Sequence, residues 1–427
     1  MISVIDSKDK GKIQEITKRA SGNFDLVLNL VLPIINDVKT KGDKALIDYA
    51  KKFDKVQLKS IKVSKNEIKE AYKKVNKKTI TALKKAAKNI ERYARLQLPK
   101  EWSKEVEKGV TVGQIVRPIK RVGCYVPCGN FPLPSTVLMT AIPAKVAGVK
   151  EIVVCTPPGR NNESILVAAD VIGVKEIYKV GGAQAIAAMA YGTESISKVD
   201  KIVGPGNIYV TAAKKLVYGD VGIDFIAGPS EIMIVADKGN AEFIAADMLS
   251  QAEHDKLASA ILVTTNKKLA SGVKNQLKIQ LNQLKTRKIA EESLKNYGAI
   301  IISGTIDEAF KIVNDLAPEH LEIEDEKWLP KVKNAGAVFI GEYSVEAAGD
   351  YCSGPNHVLP TRGFAKARAG LSVLDFVKMP TVQKLTKDGL KGLKDTIISL
   401  ADVEGLEAHK KSVEKRIKQQ NSTQVKS

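Results

Sequence analysis

Residues 174–192, VKEIYKVGGAQAIAAMAYG, read as a short strand, a glycine turn and an apolar helix. Residues 199–219, VDKIVGPGNIYVTAAKKLVYG, repeat the unit. Upstream, KEIVVCTPPG (150–159) reads as strand and loop. Downstream, EIMIVADKGNAEFIAADMLSQAEH (231–254), SAILVTTNKKLASGVKNQL (259–277) and AIIISGTIDEAFKIVNDLAPEH (299–320) continue the alternation. Strand after helix after strand is the pattern of a parallel sheet covered by helices. The sequence therefore predicts an α/β protein with two Rossmann-like doubly wound modules in succession, roughly 127–229 and 230–371.

Outside this region the character changes. Before Gly109 the pattern is helical, through LVLNLVLPIINDVKTKGDKALIDYAKKF (26–53) and then a long segment over about 66–96 whose apolar residues recur at three and four. Residues 1–23 read as a short N-terminal arm. From about 372 the chain returns to helix and ends in KRIKQQNSTQVKS, a polar stretch expected to fray.

Composition narrows the function classes. The chain has 427 residues, 44% of them apolar, enough for more than one core. No apolar run reaches the roughly 18–20 residues that cross a bilayer. The first residues, MISVIDSKDKGK, lack the apolar stretch of a secretory signal, so a cytoplasmic enzyme with no membrane partner is expected. The four cysteines (Cys124, Cys128, Cys155 and Cys352) match neither a disulfide framework nor a zinc ribbon, and read as reduced thiols. The net charge of +19 raises nucleic-acid binding as a rival. Its distribution argues against that: lysines are scattered along helical faces, arginine is scarce beside lysine, and the 5% of aromatics do not interleave with the basic runs.

Only four histidines occur: His254, His320, His357 and His409. Taken singly, each reads as a surface or satisfied core residue, and none lies in a compact metal motif. The set says more, because each has a carboxylate or amide close by in sequence. Gln251 and His254 fall at i and i+3 near the end of a helix, hence on one face. His357 follows Asp350 by seven residues in a turn-rich loop. Glu319 and His320 are adjacent where a helix ends and a strand begins. Imidazoles with carboxylates and an amide suit a borderline cation such as zinc, with an acid/base pair beside it.

Nine strings in order, VGCYVPCGN, PSTVLMTAIPAKVAGV, VGGAQAIAAMAYGTES, KIVGPGNIYVTAAK, IAGPSEIMIVAD, SQAEHD, APEHLEI, GDYCSGPNHVLPT and EGLEAH, resemble the histidinol dehydrogenase family over about residues 24–418. The resemblance implies an NAD-dependent oxidation of L-histidinol through L-histidinal to L-histidine, with one zinc ion per subunit holding the substrate. It implies Gln251, His254, Asp350 and His409 as metal ligands, His320 as the base for the substrate hydroxyl, and Glu319 as the residue that activates water at the aldehyde stage. Ser230, His357 and Glu404 match substrate contacts, and Tyr125, Gln184 and Asn207 match residues lining the NAD site. Family position, not periodicity, selects Glu404 over Glu407. The resemblance also groups 24–126 with 230–371 as a main domain, sets 127–229 apart as the second module, and makes 372–427 a helical tail exchanged in a homodimer, so that Glu404 and His409 would serve the partner's site.

One departure stands out. Where the family has Pro-Gly-Gly after the NAD-site tyrosine, this chain has Pro127-Cys128-Gly129. A Cβ there would be awkward if the backbone needed positive φ. No GxGxxG fingerprint is present, and the turn Gly204-Pro205-Gly206-Asn207 alone does not diagnose a dinucleotide, so NAD is an inference from the family. A zinc hydrolase and a basic nucleic-acid-binding protein are the rivals. The first predicts turnover without nicotinamide, the second binding that collapses with salt.

Overall fold

The computed structural model describes residues 2–17, 24–128, 131–159 and 162–418. Part of the expected arm, Gly129 and the last nine residues of the expected frayed tail fall outside them. In chain order the strands are β1 (Ser3–Asp6), β2 (Trp102–Glu107), β3 (Val110–Gln114), β4 (Arg117–Pro118), β5 (Arg121–Tyr125), β6 (Glu151–Thr156), β7 (Glu176–Lys179) and β8 (Lys201–Val203). There follow β9 (Gly222–Ile223), β10 (Glu231–Val235), β11 (Ser259–Thr264), β12 (Ala299–Ile302), β13 (His320–Ile323), β14 (Ala337–Ile340), β15 (Val377–Lys378) and β16 (Thr381–Leu385).

Two all-parallel sheets carry the larger unit, Met1–Gln97 with Ile119–Phe376. The first is ordered β7-β6-β5-β8-β9 and the second β1-β12-β11-β10-β13-β14. Counted from its own first strand, each module reads 3-2-1-4-5, the doubly wound order, and the second adds β1 at its edge. The order reverses beside β5 in one sheet and beside β10 in the other. Such switch points open crevices at the carboxyl ends of the strands.

Two details depart from the sequence reading, and a third adds to it. The N-terminal arm begins as an edge strand, with Val4 opposite Ile300, because its apolar Ile2 and Ile5 insert into the two faces of the second sheet. The long helix over 66–96 is two helices, Lys65–Lys74 and Lys77–Leu96. Asn76 between them caps the second by accepting from Thr79 N, an arrangement that stabilises a helix start by about 1 kcal/mol. Finally, the helix Phe24–Lys41 packs with the first module. Val27, Val31, Ile35 and Val38, one face of the helix Phe24–Lys41, pack with Ile186, Ala187 and Val210 of the first module. The strand β5, upstream of residue 127, is that module's central strand. Arg121 at its start ties the sheet's amino edge together, binding Glu151 and Glu176, which begin or flank β6 and β7, at 2.7 Å each.

The smaller unit joins Leu98–Pro118 to Val377–Ser427. It contains an antiparallel sheet ordered β16-β3-β2, the pair β15-β4, and the helices Lys387–Val403 and Glu407–Lys418. No helix among the described residues is long and apolar enough to cross a membrane.

Candidate active site

The helix Ile306–Leu316 ends at Ala317, which takes the left-handed conformation (φ 50), and Pro318 then forbids another helical turn. The chain leaves this corner extended, so Glu319 and His320 enter β13 at its amino end. Their neighbour across the sheet is the start of β10, where Ile232 lies opposite His320. The usual catalytic edge of a doubly wound sheet is the carboxyl edge; here the acid and the imidazole occupy the opposite one.

One residue holds both. The N–H of Glu231 donates to Glu319 Oε2 at 2.8 Å, and the carbonyl of Glu231 faces His320 Nδ1 at 3.0 Å. A carbonyl can only accept, so Nδ1 carries the proton in that contact, and a neutral His320 presents its lone pair at Nε2. Nε2 is buried and has no hydrogen-bond partner. Its nearest acidic oxygen is Asp350 Oδ1 at 3.7 Å, beyond hydrogen-bond reach. Burial pushes the Glu319 carboxyl up to about 8. Burial alone would lower the His320 pKa, but Glu319, Glu346 and Asp350 together push it up to about 10.

The metal-capable side chains gather beside this pair. Gln251 is fully buried in the helix Ala241–Ala252. With its amide turned to donate, its nitrogen reaches Glu346 Oε1 at 2.9 Å and the Glu231 carbonyl at 3.1 Å, and its oxygen is turned away from both acceptors. His254, just past that helix, brings Nε2 to 3.9 Å from Asp350 Oδ2. Two ligands about 2.1 Å from one tetrahedral ion stand roughly 3.4 Å apart, so a shift of a few tenths of an ångström would let both bind. Amide oxygen, imidazole and carboxylate form a donor set that suits zinc. Among the described residues, His320, Glu346 and Asp350 also bring ligand atoms within 4.8 Å of one another. Asp350 is common to both sets. Carboxylates outnumber imidazoles here, a balance that a divalent cation would correct.

His357 points its Nδ1 at the Asp350 carbonyl, 2.8 Å away, and burial pulls its pKa down, which keeps it neutral. Ser230 immediately precedes Glu231, and its carbonyl accepts from Ser259 N at 3.0 Å. Glu404 and His409 belong to the smaller unit, where both are exposed, Glu404 as the C-cap of Lys387–Val403 and His409 within Glu407–Lys418.

Tyr125, Gln184 and Asn207 lie at the carboxyl edge of the first sheet, around its switch point. Tyr125 ends β5, and its hydroxyl accepts from Gly182 N at 3.1 Å. Gln184 is buried one turn into the helix Gly182–Tyr191. Asn207 caps Ile208–Val217, accepting from Tyr209 N and Val210 N at 3.1 Å each. Gly204 (φ 120) passes so close to Tyr125 that a Cβ would strike its carbonyl, so glycine is required there. The concern over Cys128 eases: among the described residues, the non-glycine ones with positive φ are Lys55, Ala317 and Arg362, and Cys128 instead bridges Pro132 in extended fashion. Residues 224–230 lead from β9 at this edge to β10 at the catalytic edge. That span of eight residue steps caps their separation at roughly 25–30 Å.

Sequence reasoning did not single out Glu231 and Glu346. Glu231 acts through its backbone, which leaves no trace in residue type. Glu346 is 1% exposed, and its Oε2 has no hydrogen-bond partner. A glutamate in the stretch SVEAAGD, with small residues around it, was the available signal.

Comparisons with known proteins agree over nearly the whole chain. A family model described as histidinol dehydrogenase matches residues 17–417. A histidinol dehydrogenase of Methanothermobacter thermautotrophicus is 50% identical over 98% of this chain and 100% of its own length. One of Clostridium acetobutylicum is 51% identical over 95% of this chain and 96% of its own. The crystal structure of histidinol dehydrogenase from Elizabethkingia anophelis superposes with a TM-score of 0.94 at 42% identity, covering 99% of both chains.

Proposed function

The chain belongs to the histidinol dehydrogenase family, and from that premise we propose that it carries L-histidinol through L-histidinal to L-histidine at one site, with zinc and two molecules of NAD. The enzyme is an oxidoreductase of histidine biosynthesis. The observation that carries the finer reading is the double grip of Glu231 on Glu319 and His320 beside Asp350, which leaves a buried imidazole nitrogen without a partner.

Gln251, His254 and Asp350 would hold zinc, and His409 of a second subunit would complete the set. When bound, the ion fixes the substrate through its imidazole and amino groups, and NAD accepts the hydrides. The remaining work falls to the side chains. His320 Nε2 takes the hydroxyl proton as the carbinol carbon gives up its hydride, yielding the aldehyde. Glu319 takes a proton from water as the water adds to that aldehyde. The hydrate then loses a second hydride and its remaining protons, leaving the carboxylate of histidine. Glu231 keeps the base in the tautomer with Nε2 free. Ser230, His357 and the second subunit's Glu404 would orient the substrate. In the single chain Glu404 and His409 face solvent beside Val403, which is 87% exposed, and this supports a homodimer in which the tail serves the partner. Histidinol is a small polar substrate, and NAD is a soluble carrier. Both fit a cytoplasmic enzyme with neither a membrane nor a nucleic-acid partner.

Metal removal tests this reading. A chelator is expected to abolish NAD reduction with histidinol, and zinc to restore it while binding at one ion per subunit. Full activity in protein stripped of metal would exclude the ligand assignment, and turnover without nicotinamide would favour a hydrolase.

A further inference from the structure

A buried ion pair, which the reaction described above does not use, grips the turn at Gly204. Lys214 lies on the helix that Asn207 caps, and Asp224 lies one residue past β9. The two side chains pair directly, and the residues are 3% and 5% exposed. Together they hold both backbone polar groups of Gly204. Asp224 Oδ2 accepts from Gly204 N at 2.8 Å, and Lys214 Nζ donates to the Gly204 carbonyl at 3.0 Å. Asp224 Oδ1 also accepts from Phe225 N at 2.7 Å. Arg368 donates to the Asp224 carbonyl and rests over the Phe225 ring, 4.8 Å from its centre.

Burying two full charges is expensive, and well-packed apolar residues of similar volume are often as stable or more so. What a charged pair adds is direction. Donor and acceptor act on the two sides of one glycine, so the peptide planes flanking Gly204 are both fixed. Gly204 abuts Tyr125 too closely for any side chain, and three residues later Asn207 starts the helix that returns Lys214 to the turn. Tyr125, Gly204 and Asn207 are therefore set by one closed arrangement.

We propose that Lys214 and Asp224 are positioning residues for the dinucleotide: their ion pair holds the turn of residues 204–207 against Tyr125 in the geometry that binds NAD. The proposal rests on reading the carboxyl-edge crevice of the first sheet as the NAD site. Because the pair touches neither Glu319 nor His320, its loss acts on nucleotide affinity and spares proton transfer.

The test is the double variant Lys214→Met/Asp224→Asn, which leaves no unpaired buried charge, compared with Lys214→Arg, which keeps the cation. NAD affinity is read by direct titration, and steady-state constants are taken for both substrates. The expected result is a rise of tenfold or more in Kd and KM for NAD. KM for histidinol, and kcat at saturating NAD, stay within twofold, and Lys214→Arg recovers most of the affinity. Unchanged NAD affinity, or a fall in kcat with no change in KM for NAD, overturns the proposal. If the double variant does not fold, Lys214→Gln/Asp224→Asn, a neutral pair that also leaves no unpaired buried charge, is read by the same criteria. Asn207→Ser, which keeps a helix cap, separates the two levels of the argument. If Asn207→Ser weakens NAD binding and the ion-pair variants do not, only the positioning role falls. If neither weakens it, the crevice is not the NAD site.

Discussion

Replacing His320 with alanine should slow oxidation of histidinol by about 10²–10⁴-fold, the usual worth of a positioned general base, while oxidation of supplied histidinal falls far less. The asymmetry follows from where the protons are. In the first half-reaction a hydroxyl proton must leave as the hydride does, and Nε2 is the buried atom without a hydrogen-bond partner that offers a lone pair for it when His320 is neutral. In the second, the proton that matters belongs to water, and Glu319 is the group proposed to take it. Thermal melting of the variant would show that the loss is not unfolding, since a buried side chain is being removed. Equal losses in both half-reactions would sink the division of labour.

Glu319→Gln is expected to do the reverse. The amide is nearly isosteric and still accepts from Glu231 N, so the local frame should survive. It cannot take a proton from water, and oxidation of histidinal should drop by about 10²–10⁴-fold. Reduction of the first NAD by histidinol should continue, so that aldehyde accumulates on the enzyme or escapes. Burial raises the Glu319 carboxyl to about 8, which makes its carboxylate a stronger base toward water than that of an exposed glutamate. A Glu319→Gln enzyme that still makes histidine at the normal rate would remove Glu319 from the mechanism.

Much of this was legible in the sequence, for reasons that differ by element. Strand, glycine turn and helix around Gly181, Gly182 and Gly204 announce parallel crossovers, because a crossover needs a sharp turn and a helix of fixed length, both local properties. The pairing of β16 with β3 was not legible. Those strands lie more than 250 residues apart, β16 is exposed throughout, and its alternation is weak. The core partner of the helix Phe24–Lys41 was hidden for a related reason: periodicity tells which face is buried but not against what.

The site divides in the same way. His254, His320 and His357 stood out as rare residues with polar neighbours, and the fold brings all three to Asp350. Chain position placed Glu319 and His320 where a helix ends and a strand begins, and His320 does begin its strand. Glu231 was invisible because its peptide, not its side chain, holds Glu319 and His320.

A four-electron oxidation completed at one site is tested most directly by counting product. Limiting histidinol, incubated with excess NAD and zinc-loaded enzyme in the presence of an aldehyde trap, should yield two NADH and one histidine per histidinol, with no trapped histidinal. One NADH per histidinol, with the aldehyde recovered in the trap, would contradict the account.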